Sequence, residues 1–127
     1  MQLQQSYIYI KGIRLHAYHG VLPQERLTGN EYLIDLMVEY PVETAMLSDR
    51  VEDTMSYADA FELVKAEMKE PSALIEHVAH RIGETVFLRF PKAASLVLRI
   101  TKQNPPMSGS CDGAGVELHL INDKTVW

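Results

Sequence analysis

Cysteine is nearly absent from this chain: Cys111 is the single thiol among 127 residues. It can close no internal disulfide, so no covalent framework replaces a hydrophobic core, and a reducing cytoplasm is the expected compartment. Long apolar runs are missing too. No stretch approaches the ~20 residues needed to span a bilayer, and Met1 to Ser6 lacks the charged-then-apolar pattern of a signal peptide. Basic residues are few, 12 Lys and Arg against 17 Asp and Glu, and the net charge of -5 disfavours a nucleic-acid partner. Nor is there an internal repeat, a low-complexity tract or a Pro/Gly/Ser-rich linker to divide the chain. What is present, 46% hydrophobic and 23% charged residues, is the balance of a soluble globular protein. Residues 1–127 are expected to form a single domain with one modest core.

Hydrophobic periodicity divides this chain into strands and helices. From about Ser6 to Tyr18, Ile8 and Ile10 share one phase while Ile13, Leu15 and Ala17 share the other; the slip falls at Lys11-Gly12 and predicts a β-bulge. After a turn-like stretch, Leu22 to Asn30, the residues Tyr32, Ile34, Leu36, Val38 and Tyr40 mark a second half-buried strand, expected to pair with the first as an antiparallel hairpin. The period then becomes helical. Ser56 followed by Asp59 resembles a capping box, and Tyr57, Phe61, Val64 and Met68 predict a helix to about Lys69. Pro71-Ser72 reads as a second start, with Ile75, Val78, Ala79, Ile82 and Val86 forming a stripe that ends before Pro91. Two more strands follow, Ala94 to Asn104 and one marked by Val116, Leu118 and Leu120, joined through a hairpin loop over Pro105 to Gly115.

The order ββααββ predicts an α+β fold, an antiparallel four-stranded sheet with both helices on one face. Tyr7, Tyr9, Leu33, Met37 and Val97 occupy the opposite phase and are too apolar for a solvated surface, so burial against a neighbouring subunit is expected there. Lys102 is the anomaly on the inner face. It shares the phase of Leu96, Leu98 and Ile100, so its stem must either reach solvent at the strand end or leave the amine in a partly desolvated pocket, where it becomes usable for proton transfer.

Four strings carry a family resemblance: Tyr18-His19-Gly20-Val21-Leu22-Pro23-Gln24-Glu25; Ser48-Asp49 through Asp53-Thr54-Met55-Ser56-Tyr57; Leu74-Ile75-Glu76-His77-Val78-Ala79; and Ile100-Thr101-Lys102-Gln103-Asn104-Pro105-Pro106 through Asp112-Gly113-Ala114-Gly115-Val116-Glu117. In content and order the chain resembles the dihydroneopterin aldolases over nearly its whole length. The resemblance implies a tunnelling fold, with sheets of several subunits joined into a barrel. It also implies a homo-oligomer, a tetrameric ring commonly stacked into an octamer, with active sites between adjacent subunits. The implied activity is that of an aldehyde-lyase of folate synthesis, the retro-aldol cleavage of dihydroneopterin to 6-hydroxymethyl-7,8-dihydropterin and glycolaldehyde, with side-chain epimerisation. No cofactor, metal or Schiff base is implied, because the protonated pterin ring can itself accept the electrons released. A dihydroneopterin triphosphate epimerase and a non-catalytic pterin or purine binder are the alternatives. The first would want basic residues at its mouth and the second would not need Lys102.

Carried over by position, the resemblance implies Lys102 as catalytic lysine, Tyr57 in proton transfer and ring packing, and Glu25 near the substrate's side chain. It implies Glu76 as the anchor of the pterin's amino-pyrimidinone edge, where a carboxylate accepts two parallel N–H bonds. Val21, Met55 and Ile75 match positions whose backbone lines the pocket. Without the resemblance, Tyr57 reads as a core aromatic, Glu76 as a solvated acid near a helix N-terminus and Glu25 as a surface loop acid. Glu76, Ala79 and Gly83 also form a small-residue stripe expected to leave room for a ligand or a close neighbour. His16-x-x-His19 and His77-x-x-His80 lack a third ligand at a familiar spacing, so no metal site is expected. The glycine-rich segment Gly109 to Gly115 precedes a strand, which makes it a hairpin loop instead of a phosphate cradle. Cys111 has no assigned role.

Overall fold

The structure, a computed structural model, describes residues 1–124. Four strands, β1 (Tyr7–Ala17), β2 (Asn30–Glu39), β3 (Ser95–Lys102) and β4 (Ala114–Ile121), form one antiparallel sheet in the order β1-β2-β3-β4. The predicted bulge is present: the β1–β2 register shifts between Ile10 and Ile13. Gly12 adopts φ +74 there, a conformation that only glycine takes without strain, and its N–H is held by Asp35 Oδ1 at 2.7 Å. The extra residue brings both halves of β1 onto the same face. Ile8 and Ile10 therefore pack on the same core as Ile13 and Ala17.

That core lies between the sheet and two helices, α3 (Tyr57–Met68) and α4 (Ile75–Arg89). Ile34, Leu36 and Val38 of β2 and Leu96, Leu98 and Ile100 of β3 meet Val64 and Met68 of α3 and Val78, Ile82 and Val86 of α4. α3 begins as its sequence predicts, with Ser56 Oγ accepting the Asp59 N–H. Its buried stripe runs through Ala60, Val64 and Met68, and Tyr57 stays outside it at 67% exposure, so Tyr57 is no core aromatic. α4 begins three residues later than Pro71-Ser72 suggests, because the N–H and C=O of Ser72 are both engaged by residues 19 and 20 and cannot enter a helical ladder.

Two short helices and a turn lack any periodic signal. α1 (Pro23–Thr28) replaces part of the expected turn, while α2 (Glu43–Ser48) and a 3-10 turn, Val51–Asp53, lead from β2 to α3. None buries a side chain, and so none leaves an apolar stripe to read. The β3–β4 hairpin forms, but β4 starts inside the expected loop, with Lys102 opposite Ala114 and Thr101 opposite Gly115. At Gly83 the stripe Glu76, Ala79, Gly83 admits the close neighbour that was one of its two expected occupants. Ala79 and Gly83 are buried, and a Cβ on Gly83 would sit 2.5 Å from Leu120 Cδ1, so the missing side chain lets α4 close on β4.

The second sheet face is bare among the described residues, with Tyr9 67% and Met37 38% exposed and Leu33 and Val97 half-buried. No helix among them is long and apolar enough to cross a membrane.

Candidate active site

Lys102 ends β3 on the helix-covered face, as its phase predicts, but it is not alone in its pocket. Its Nζ donates to Glu25 Oε2 at 2.6 Å, and the two side chains are only 13% and 14% exposed. α1 makes this meeting possible. The helix starts at Pro23, whose fixed φ and missing N–H suit a first helical position, and one turn aims Glu25 back across the sheet end toward Lys102. The Leu22 N–H reaches Glu25 Oε1 at 3.3 Å. The bond from Lys102 holds the Glu25 carboxyl below its ordinary value; burial opposes this, and the Leu22 and Val21 backbone groups reinforce it.

Gly20 supplies the space. It adopts φ +155, and a Cβ there would lie 2.5 Å from Glu25 Cβ, so the carboxylate can fold against the backbone only over a glycine. Behind the pair stands Tyr32, the cross-strand partner of Lys102, with its ring centroid 5.9 Å from Nζ. The Tyr32 hydroxyl donates to the His19 carbonyl at 3.1 Å, and burial, assisted by the Glu25 charge, pushes its phenol up to about 12. Tyr32 is therefore a fixed donor near neutral pH. His19 is 1% exposed, and burial together with the positive charges of Arg81, Lys102 and Arg26 pushes its imidazole down to about 4, against a smaller upward effect of the Met68 carbonyl. Its Nδ1 receives the Ser72 N–H at 3.1 Å, which places the proton of the neutral ring on Nε2.

Of the other predicted residues, Val21 meets the pair through its backbone group alone. Tyr57 is exposed on the first turn of α3, Glu76 is exposed on the first turn of α4, Val21 is exposed before α1, Ile75 is half-buried and Met55 is buried. Among the described residues, no hydrogen bond or ion pair links Tyr57 or Glu76 to Lys102 or Glu25. Clefts of about 570 and 530 Å³ lie elsewhere, one beside Ser6, Tyr40 and Lys92 and the other between α4 and β4.

Sequence reasoning missed the Lys102–Glu25 bond and the layer of His19, Tyr32 and Ser72 beneath it. A signal existed for His19, which continues the inward phase of Ile13, Leu15 and Ala17 past the strand end. The His-x-x-His spacing obscured it. His16 faces the other way, with Nδ1 2.7 Å from Glu31 Oε1 and Nε2 3.0 Å from the Thr28 carbonyl, while His80 pairs with Glu84 along α4. Among the described residues, no group of three or more His, Cys, Asp or Glu is arranged to hold a metal ion.

A four-stranded antiparallel sheet with two helices on one face, closed at one end over a half-buried lysine–carboxylate pair, places the chain among the tunnelling-fold proteins. It belongs to the dihydroneopterin aldolase family, whose FolB profile matches residues 8–119. The dihydroneopterin aldolase of Staphylococcus epidermidis is 37% identical over 117 residues, 91% of this chain and 97% of that protein. That of Streptococcus pyogenes is 35% identical over 112 residues, covering 87% and 94%. The crystal structure of Escherichia coli dihydroneopterin aldolase in complex with neopterin superimposes with a TM-score of 0.82 at 24% identity, over 90% of this chain and 97% of that one, a likeness of fold.

Proposed function

We propose that this chain cleaves 7,8-dihydroneopterin by a retro-aldol reaction to 6-hydroxymethyl-7,8-dihydropterin and glycolaldehyde, a step of folate biosynthesis, and epimerises the substrate's side chain. The observation that carries the reading is the Lys102 amine, half-buried at the end of β3 and held at 2.6 Å by Glu25, in a chain of this family. Cleavage starts when a base takes the proton of the side-chain hydroxyl. Lys102 is that group in its neutral form, reached when its ammonium passes a proton to Glu25, which also orients the hydroxyls. The electrons of the breaking carbon–carbon bond flow into the ring imine as the adjacent ring nitrogen is protonated, a step to which Tyr57 contributes; the exocyclic carbon then takes up a proton as the ring nitrogen gives its own up, which restores the imine and yields the hydroxymethyl product. The substrate is its own electron sink, so neither a metal nor a Schiff base with Lys102 is required.

Glu76 anchors the amino-pyrimidinone edge, and backbone groups of Val21, Met55 and Ile75 line the ring. The exposure of Tyr57, Glu76 and Val21 supports a site completed by a neighbouring subunit. So do the bare apolar sheet face and the location of the clefts away from Lys102. The expected assembly is a tetrameric ring, stacked as an octamer, acting as one domain per chain in the cytoplasm. Incubating the purified protein with dihydroneopterin and EDTA, and resolving the pterins by chromatography, tests the proposal. Hydroxymethyl-dihydropterin is the expected product; its absence removes the aldolase reading, and activity that returns only with added zinc removes the metal-free mechanism.

A further inference from the structure

The proposed pterin anchor and the proposed base belong to separate segments, Glu76 on α4 and Lys102 on β3, and something must fix one against the other. Ser72 is where the two halves meet. It lies four residues before Glu76, it is 8% exposed, and both of its backbone polar groups are bound by consecutive residues beyond β1. Its N–H donates to His19 Nδ1 at 3.1 Å and its carbonyl accepts the Gly20 N–H at 2.9 Å. From the other side, Arg81 of α4 donates to Ser72 Oγ at 3.0 Å and to the Glu70 carbonyl at 2.8 Å, so the segment leading into α4 is held on both flanks.

The same dipeptide is tied to the base. The His19 carbonyl accepts the Tyr32 hydroxyl, and the two rings meet edge to face with centroids 5.3 Å apart. Tyr32 is the residue opposite Lys102 in the sheet. Gly20 is the surface against which Glu25 folds. A connected set of contacts therefore runs from Lys102 and Glu25, through Tyr32 and Gly20, to His19 and Ser72, and ends four residues before Glu76.

Resting on the pterin reading of the site, we propose that His19 is a positioning residue, whose Nδ1 acceptor, with the Gly20 N–H, clamps Ser72 and so sets the Glu76 anchor against the Lys102–Glu25 pair. His19 touches no reacting atom. Its side chain is enclosed, and its role is carried by an acceptor at one defined place.

Two substitutions distinguish this from a general packing role. In His19→Asn the amide Oδ1 stands where Nδ1 stood. In His19→Gln a polar amide of similar character is kept, but its acceptor lies one bond farther along. Both variants are compared with the wild type in the assembled protein by neopterin titration, by steady-state turnover, and by amide hydrogen exchange over residues 72–78. His19→Asn is expected to bind neopterin within about threefold of wild type, and His19→Gln to weaken it about tenfold or more, the effect of losing one acceptor for a buried N–H. Exchange over 72–78 should rise in His19→Gln alone. Equal affinity in the two variants, whether both near wild type or both equally weakened, overturns the proposal. So does faster exchange in His19→Gln with unchanged neopterin affinity, since the clamp would then order the loop without serving the site. If the wild type itself binds no neopterin, the pterin reading fails instead, and the exchange data still show whether an acceptor at Nδ1 holds the segment.

Discussion

The strands β2 and β3 run side by side from Tyr32 and Lys102 at one end to Glu39 and Ser95 at the other, and their two ends use polar groups for different purposes. At the Ser95 end, polar groups close the chain on itself. Ser95 Oγ donates to Glu39 Oε1 at 2.7 Å, the Ala94 N–H reaches the Glu39 carbonyl at 2.9 Å, and the buried Asn122 side chain donates to the Ala93 carbonyl at 3.0 Å. At the Lys102 end, two charges sit together with most of their surface covered, and an ammonium group with three donors has one of them directed to Glu25. Such a pair is a poor way to gain stability, since desolvation offsets much of its Coulomb attraction. A sheet end that only needed closing would look like the Ser95 end. The Lys102 end keeps bonding capacity in reserve, which is what a site requires and a scaffold does not.

Changes at the two ends should therefore separate activity from stability. The largest effect is expected for Lys102→Ala, with turnover lower by about 10²- to 10⁴-fold, the usual contribution of a general acid or base, while neopterin affinity and assembly stay near wild type. Steady-state kinetics beside a neopterin titration would check it, and wild-type turnover would make Lys102 a structural lysine. Next comes Glu76→Gln, which puts an N–H donor where the pterin presents donors. Losing one charge-assisted bond and leaving a donor unmet costs about 3 kcal/mol, so neopterin should bind on the order of 100-fold more weakly. Binding as tight as wild type would place the anchor elsewhere.

Acid should loosen the Lys102 end first. His19 is held neutral, with its folded value near 4 against an ordinary 6.5, so between these values the unfolded chain binds a proton that the folded chain does not. The contribution of neutral His19 is complete above pH 6.5 and is lost as pH falls from 6.5 toward 4. Depressed Glu25 acts in the same direction at lower pH. Denaturant unfolding at a series of pH values should show roughly 2–3 kcal/mol lost over the His19 window, and a flat profile would mean that the imidazole is not held neutral. The smallest effect belongs to the Ser95 end. Asn122→Ala removes the donor to the Ala93 carbonyl and should cost about 1–2 kcal/mol of stability with turnover unchanged. A loss of turnover there would break the division between the ends.

Those divisions explain what the sequence made legible. The inward phase of Lys102 needed only the alternation of Leu96, Leu98 and Ile100, and the bulge at Lys11-Gly12 needed only a slipped period; both are properties of a repeating backbone. The course of both long helices followed from their apolar stripes. What failed was whatever depended on a single tertiary bond. Ser72 looked like a helix start because its partners lie 53 and 52 residues earlier in the chain, and Glu25 looked like a loop acid because α1 buries no side chain. For Gly83 the pattern left a ligand or a close neighbour open, since nothing local announces that Leu120 lies against it.

The bulge at Gly12 also makes the length of β1 matter more than its composition. Counting inward-facing residues from there, Ile13, Leu15, Ala17 and His19 fall in step, so the ring that receives Ser72 owes its direction to one supernumerary residue seven positions upstream. Deleting that residue would act on the strand as a frameshift acts on a message: every side chain before or after it would exchange core for solvent, although each remained the same amino acid. Drift among aliphatic residues can proceed along β1 one substitution at a time, whereas a gain or loss of one residue near Gly12 has no gradual route.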